Sequence, residues 1–252
     1  MTRELVYRSQ RVRFPALAGH PLAGIIEWPR DKIRAHAIFT HCFTCTKDLK
    51  AIVRVSRHLA HRGVAVLRFD FTGLGESGGN FVDTTFYDNV ADVQAAYQYM
   101  QDHYAPPDLL VGHSLGGAAI LATAAKFDQV RLVATIAAPS TTQHLAATLT
   151  RMDPSIEHVG HGEVEIGGRR YPITKDMIEV LRHFDLPRFI REYRKPLTIF
   201  FSPQDETLPF EHALDMLTWS GGPARLINLR NANHLLTNHP HHAPQIAHHL
   251  AP

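Results

Sequence analysis

Gly112-His113-Ser114-Leu115-Gly116 is a complete G-x-S-x-G set, lying between the apolar run Leu109-Leu110-Val111 and the run Gly117-Ala118-Ala119-Ile120-Leu121. This order predicts a strand, a tight turn and a helix, with Ser114 on the turn. A Cβ at either flanking glycine would collide with the neighbouring strand or helix, which is why glycine is needed there. The serine hydroxyl is expected to project from the turn. The N–H of Leu115, at the helix start, is a donor that can face a developing oxyanion. Residues of these types at this spacing are suited to acyl transfer through a nucleophilic hydroxyl.

A hydroxyl is a weak nucleophile at neutral pH and needs a base, and the base needs a third group to hold its tautomer. With the nucleophile on this kind of turn, the partners follow in the order acid, then histidine, each on a loop after a late strand. Leu197-Thr198-Ile199-Phe200-Phe201 is predicted as a buried strand, and the turn Ser202-Pro203-Gln204-Asp205-Glu206-Thr207 follows it. Asp205 is the expected acid. Its rivals are the adjacent Glu206 and a plain turn-forming role for Asp205 beside Pro203. Arg225-Leu226-Ile227-Asn228-Leu229 is the next predicted strand, and the loop Asn231-Ala232-Asn233-His234 follows, which makes His234 the expected base. The chain carries 18 histidines, so strand position has to select among them. His239, His241, His242, His248 and His249 crowd a final helix and are expected on a solvated face. His241 and His242 are adjacent and point to different faces; His242 and His249 could share one, but no metal site is expected.

Taken together, these residues resemble the α/β-hydrolase superfamily of serine hydrolases over nearly the whole chain. In many members an early strand ends in His-Gly, followed by a residue whose N–H completes the oxyanion hole. Here the strand Ala35-His36-Ala37-Ile38-Phe39-Thr40 ends in His41-Cys42-Phe43-Thr44, so the resemblance implies Phe43 as the second donor beside Leu115, with Cys42 in the glycine position. Phe69-Asp70 leads into Phe71-Thr72-Gly73-Leu74-Gly75-Glu76-Ser77-Gly78, which is similar to the family's D-x-x-G-x-G-x-S loop. These stretches also resemble the bacterial branch often fused to an OsmC-like domain, although no second domain is expected within this chain. The implied fold is α/β: a mostly parallel eight-stranded sheet with helices on both faces and a small inserted lid.

Gly73-x-Gly75-x-x-Gly78 is also a match to the dinucleotide-binding fingerprint. Its glycines do not open directly into a helix, so a pyrophosphate would lack a helix N-terminus. A tight loop is expected, and no cofactor. Cys42 and Cys45 form a C-x-x-C pair beside the predicted oxyanion loop. Two cysteines alone make a poor zinc site. A redox-sensitive loop is one reading of them, and thiols without a role the other.

At 252 residues and 44% hydrophobic content the chain can bury a substantial core, as one domain. A formal charge of +2, with 26 basic residues scattered among 24 acids, gives no reason to expect nucleic acid. Met1-Thr2-Arg3-Glu4-Leu5 has no apolar leader region and no run approaches a membrane span, so a cytoplasmic location is expected. An antiparallel pair over 5–14 and 22–28 precedes strand-helix units, with helices expected at 47–61, 86–103, 115–127, 210–219 and 240–250. Residues 1–139 and 196–252 are the expected core. Residues 140–195 interrupt it as helix, hairpin around Gly167-Gly168, and helix. This insertion is expected to be a lid similar to the cap of cinnamoyl/feruloyl and related short-chain esterases, or else a decoration adding stability.

The activity so implied is hydrolysis of a small-molecule carboxylic ester, with a short-to-medium or aromatic acyl group, through an acyl-enzyme. Thioester hydrolysis, acyl transfer and perhydrolysis run on the same residues, and a non-catalytic binding protein on this scaffold is the farther alternative. The lid and the histidine-rich tail are surfaces that could serve a homodimer.

Overall fold

The computed structural model describes residues 7–251. Leu5, where the first strand is expected to begin, lies outside them. The chain runs β1 (Tyr7–Pro15), β2 (Pro21–Pro29), β3 (Ala35–Thr40), α1 (Lys50–Ala60), β4 (Val64–Phe69), α2 (Phe86–His103), β5 (Leu109–His113), α3 (Leu115–Ala124) and β6 (Leu132–Ile136). It continues through α4 (Gln143–Met152), α5 (Ser155–Val159), β7 (His161–Ile166), β8 (Arg169–Thr174), α6 (Lys175–His183) and α7 (Leu186–Glu192). It closes with β9 (Leu197–Phe201), α8 (Glu211–Trp219), β10 (Ala224–Asn228) and α9 (His242–Leu250). Among the described residues no helix is long and apolar enough to cross a membrane.

Eight strands form one sheet in the order β1-β2-β4-β3-β5-β6-β9-β10; β1, β2 and β4 pair antiparallel and the rest are parallel. The central strands β4 and β5 are buried at every position, as parallel strands covered on both faces must be. Alternation along them splits the core in two. Ile38, Leu67, Leu110 and Val133 face one side with residues of α2 and α3, while Ala37, Phe39, Val66 and Val111 face the other with α1 and α9. Helix α3 is buried at all ten positions and is correspondingly apolar all round. In α1 the apolar residues Ile52, Val55 and Leu59 are buried while Arg54 and Arg57 are exposed. Because β3, β5, β9 and β10 run parallel, the loops that follow them gather at one edge of the sheet, the place where open α/β sheets hold ligands.

The expected helices form, α2 over the expected 86–103 and the others with shifted ends. The first begins at Lys50 rather than 47, because Lys47 is drawn into the loop: its main-chain N–H donates to Asp70 Oδ1 at 2.7 Å. The third stops at Ala124, and the last starts at His242. Between β6 and β9 each side of the hairpin carries two helices where one was expected. Asp153 and Pro154 separate α4 from α5, and Asp185 caps α7 by accepting from Arg188 N at 3.2 Å, with Pro187 in the first turn. Tyr171 of β8 reaches back to the core, its hydroxyl donating to the Thr44 carbonyl at 3.1 Å and its ring lying against Phe81.

Candidate active site

Ser114 sits between β5 and α3 with φ 52° and ψ −124°, a backbone conformation strained for a side chain with a Cβ. The surroundings hold it there. Its N–H donates to the Ile136 carbonyl at 2.9 Å, extending the β5–β6 pairing into the turn. Gly116 permits the close approach of α3 to the loop after β3: a Cβ on it would lie 2.3 Å from the His41 carbonyl oxygen. Thr40 Oγ1 completes this junction by donating to the Gly116 carbonyl at 2.9 Å.

The three residues expected to act together are brought together. His234 Nε2 is 3.0 Å from Ser114 Oγ, and His234 Nδ1 is 2.9 Å and 3.1 Å from the two carboxylate oxygens of Asp205. His234 is buried and Ser114 half-buried. The acid is itself fixed, since Asp205 Oδ1 accepts from the N–H groups of Thr207 and Leu208, each at 2.9 Å. Burial alone would push the Asp205 carboxyl up. The bond from His234, its charge, and the two backbone donors outweigh burial and hold the carboxyl below its ordinary value. A carboxylate that stays ionised selects the His234 tautomer with its proton on Nδ1, leaving Nε2 free to accept from Ser114. Glu206, the rival acid, is exposed, and it is Asp205 that pairs with His234 Nδ1.

Leu115 is the first residue of α3, so its N–H has no acceptor within the helix. The orientation of Phe43 follows from the peptide before it. The Cys42 carbonyl accepts from His41 Nδ1 at 2.8 Å and from the Cys45 N–H at 3.1 Å. Every described peptide is trans, so the Phe43 N–H points opposite to that doubly held carbonyl. His41 is wholly buried, and its Nε2 accepts from the Phe71 N–H at 3.1 Å, which leaves its single proton on Nδ1. Burial, first among the causes, lowers its pKa to about 4, so this clamp stays neutral.

Cys42 and Cys45 are joined by a disulfide that closes the turn carrying Phe43 and Thr44. They are therefore not the free thiols of one expectation. Behind the turn lies a charge network that the sequence signals at Asp70 alone. Lys47 Nζ, in a side chain only 2% exposed, pairs with Asp70 at 2.8 Å and Glu76 at 2.7 Å, and Arg68 pairs with Asp48 at 2.7 Å and the buried Glu27 at 3.1 Å. Burial disfavours the charge on Lys47, but the bonds to Asp70 and Glu76 outweigh it and raise its pKa. This network anchors the loop after β3 to the glycine-containing loop after β4. Asp70 belongs to the D-x-x-G-x-G-x-S stretch, which was the one sequence signal for it. Gly75 in that stretch is closely packed: a Cβ on it would lie 2.2 Å from the Asp70 carboxylate.

Beside Phe43 and Leu115 lies a pocket continuous with solvent. Phe71, Phe81 and Phe86 line it from the core, and Met177 and Leu181 close it from α6.

Residues 37–245 match the sequence profile described as the alpha/beta hydrolase family. The chain belongs to that family. Among solved structures, the esterase domain of a Rhodothermus marinus protein is similar at 37% identity and TM-score 0.77, over 97% of this α/β hydrolase and 96% of that chain. Est1E from Butyrivibrio proteoclasticus, solved with ferulic acid bound, is similar at 23% identity and TM-score 0.82, over 94% and 96% of the two chains. Mouse alpha/beta hydrolase domain-containing protein 10 shares the fold at 20% identity and TM-score 0.75, over 96% of this chain and 98% of its own. A search of curated proteins finds no match.

Proposed function

We propose that this α/β hydrolase cleaves carboxylic esters through an acyl-enzyme on Ser114. The observation that carries the proposal is the continuous hydrogen-bond chain Ser114–His234–Asp205. The ester carbonyl is attacked by Ser114 Oγ as its proton passes to His234 Nε2, and Asp205 stabilises the imidazolium so formed. The N–H groups of Leu115 and Phe43 receive the oxyanion. His234 then protonates the leaving alcohol, and a water deprotonated by the same ring releases the acid. No step calls for a metal or an organic cofactor.

The cavity beside Phe43 and Leu115 supports an apolar acyl group, short-to-medium or aromatic, because most of its lining side chains are aromatic or aliphatic. Residues 140–195 act as a lid in this reading, since Met177 and Leu181 supply one wall of that cavity and Tyr171 bonds to the loop bearing Phe43. The known esterase domain at 37% identity supports the ester as substrate. A cytoplasmic setting belongs to the same proposal. There the thiol pool opposes the Cys42–Cys45 bond, so the dithiol form of the loop is expected to occur alongside the oxidised one.

The test is hydrolysis of p-nitrophenyl esters of increasing acyl length by the wild type and by Ser114→Ala. Turnover that peaks at a short or medium chain and disappears in the variant is the expected result. Turnover that persists in Ser114→Ala contradicts the proposal.

A further inference from the structure

His113 fills a variable position of the nucleophile turn and takes part in no step of the proposed chemistry. Its ring is 1% exposed at the end of β5, and its Nε2 lies 2.7 Å from the main-chain carbonyl oxygen of His234, 121 residues later. A carbonyl can only accept, so the ring carries its proton on Nε2. Its Nδ1 is buried without any hydrogen-bond partner, leaving no acceptor for a second proton. The groups that face it are His234, Asp205 and the neutral His41; burial, foremost, and His234 push its pKa down to about 3.

The loop bearing His234 needs an anchor. Asn233, Thr237 and Asn238 bond among themselves, bracing the loop from within without tying it to the nucleophile turn. Leu236 closes it with φ 52°. The imidazole of His234 is oriented by Asp205 and Ser114, but its backbone is held to the turn by His113.

We propose that His113 is a positioning residue for the base: its Nε2–H ties the His234 backbone to the nucleophile turn, so that one strand end fixes both partners of the Ser114–His234 pair. The inference rests on the proposed roles of Ser114 and His234. The donor must also be uncharged. The two rings have their centroids 5.2 Å apart, and each proton transfer from Ser114 makes His234 a cation. A lysine or a titrating imidazole at this place would oppose that charge across a water-poor site. A histidine sealed on its Nδ1 side supplies the hydrogen bond without the charge.

The comparison that tests this is His113→Leu against His113→Gln. Leucine fills the space and leaves the His234 carbonyl unpaired; glutamine carries an amide N–H at the same reach as imidazole Nε2 and cannot take a charge. His113→Leu is expected to lower kcat about tenfold or more with KM held within about twofold, and His113→Gln to recover most of the lost kcat. A role in packing alone predicts the opposite order, with the apolar side chain tolerated best. In parallel, ¹⁵N spectra of the wild-type imidazoles are expected to show His113 as the neutral Nε2–H tautomer at every pH where the enzyme is active. This readout is independent of whether the leucine variant folds. Wild-type kcat in folded His113→Leu, a folded His113→Gln as slow as the leucine variant, or a charged or Nδ1–H ring would overturn the proposal. Failure of the esterase reading is distinguishable, because it would appear as activity surviving in Ser114→Ala while the ¹⁵N tautomer of His113 is unaffected.

Discussion

At the scale of single residues, the site depends on which nitrogen of each histidine carries the proton. Asp205 decides it for His234, and the carbonyls of Cys42 and His234 accept from His41 and His113 respectively. Asp205→Asn is therefore expected to lower kcat by about 10³- to 10⁴-fold with little change in KM, because an amide permits the unproductive tautomer of His234. Steady-state kinetics with a p-nitrophenyl ester checks this, and a loss confined to KM would assign Asp205 to substrate binding instead. Ser114, Asp205 and His234 were legible in the sequence because a short motif and a fixed chain order single them out. The clamp made by His41 was not legible. It depends on the Phe71 N–H lying 3.1 Å from a ring thirty residues earlier in the chain, a closeness that no local pattern encodes.

At the scale of elements, strand positions were legible from runs of apolar residues, and helix ends only in part: α2 has the expected bounds, whereas α1 does not. The first helix starts three residues late because tertiary contacts of Lys47 with Asp70 and Glu76 outweigh the helical spacing of its sequence. Two cysteines three apart state no redox form, so the disulfide too was out of reach of sequence. The bond closes a loop of only four residues, from Cys42 to Cys45, so its effect on the unfolded chain is modest, about 2 kcal/mol. Reduction is expected to lower stability by that order, measured as the shift of the urea midpoint with and without dithiothreitol. The larger effect is expected on kcat, since the turn it closes carries the Phe43 N–H. Lys47, Asp70 and the Tyr171 hydroxyl hold neighbouring parts of the loop, so the loss is expected to be partial and to reverse on reoxidation. A reduced enzyme with unchanged stability would show that the pair is not bonded in solution.

At the scale of the whole molecule, a mostly parallel sheet was legible from the succession of predicted strands and helices, and its eight strands with helices on both faces from the resemblance to the α/β hydrolases. The acid-base balance of the interior was not, since burial and the tertiary neighbours of each group set it. His41 and His113 are neutral when folded down to about pH 4 and about pH 3, whereas unfolded they take up a proton near pH 6.5. Their contribution is therefore full above about pH 6.5 and is lost as the pH falls towards those folded values. Asp92 works in the opposite direction. Burial raises its carboxyl to about 7, so the folded protein retains a proton there that the unfolded chain releases near pH 4. Its contribution is full at low pH and is lost as the pH rises through about 7. Between about pH 5 and 6 the unfolded state thus binds two extra protons on the histidines and one fewer on Asp92. Burial, first among the causes, also lowers the pKa of His36, His58, His212, His242 and His249, which act in the same direction as His41 and His113, so stability rises with pH across this window. Asp92→Asn removes the opposing proton and is expected to make that rise steeper, by up to about 1.4 kcal/mol per pH unit, read from urea unfolding at a series of pH values. An unchanged slope would mean that Asp92 is already ionised in the folded state.

The most direct measurement is covalent labelling with a fluorophosphonate, followed by mapping of the modified peptide by mass spectrometry. One adduct per chain, on Ser114, formed in step with the loss of ester hydrolysis and absent from a folded Ser114→Ala variant, is the expected result. A folded protein that remains unlabelled, or that is labelled elsewhere while activity is lost, would contradict the assignment of Ser114 as the nucleophile.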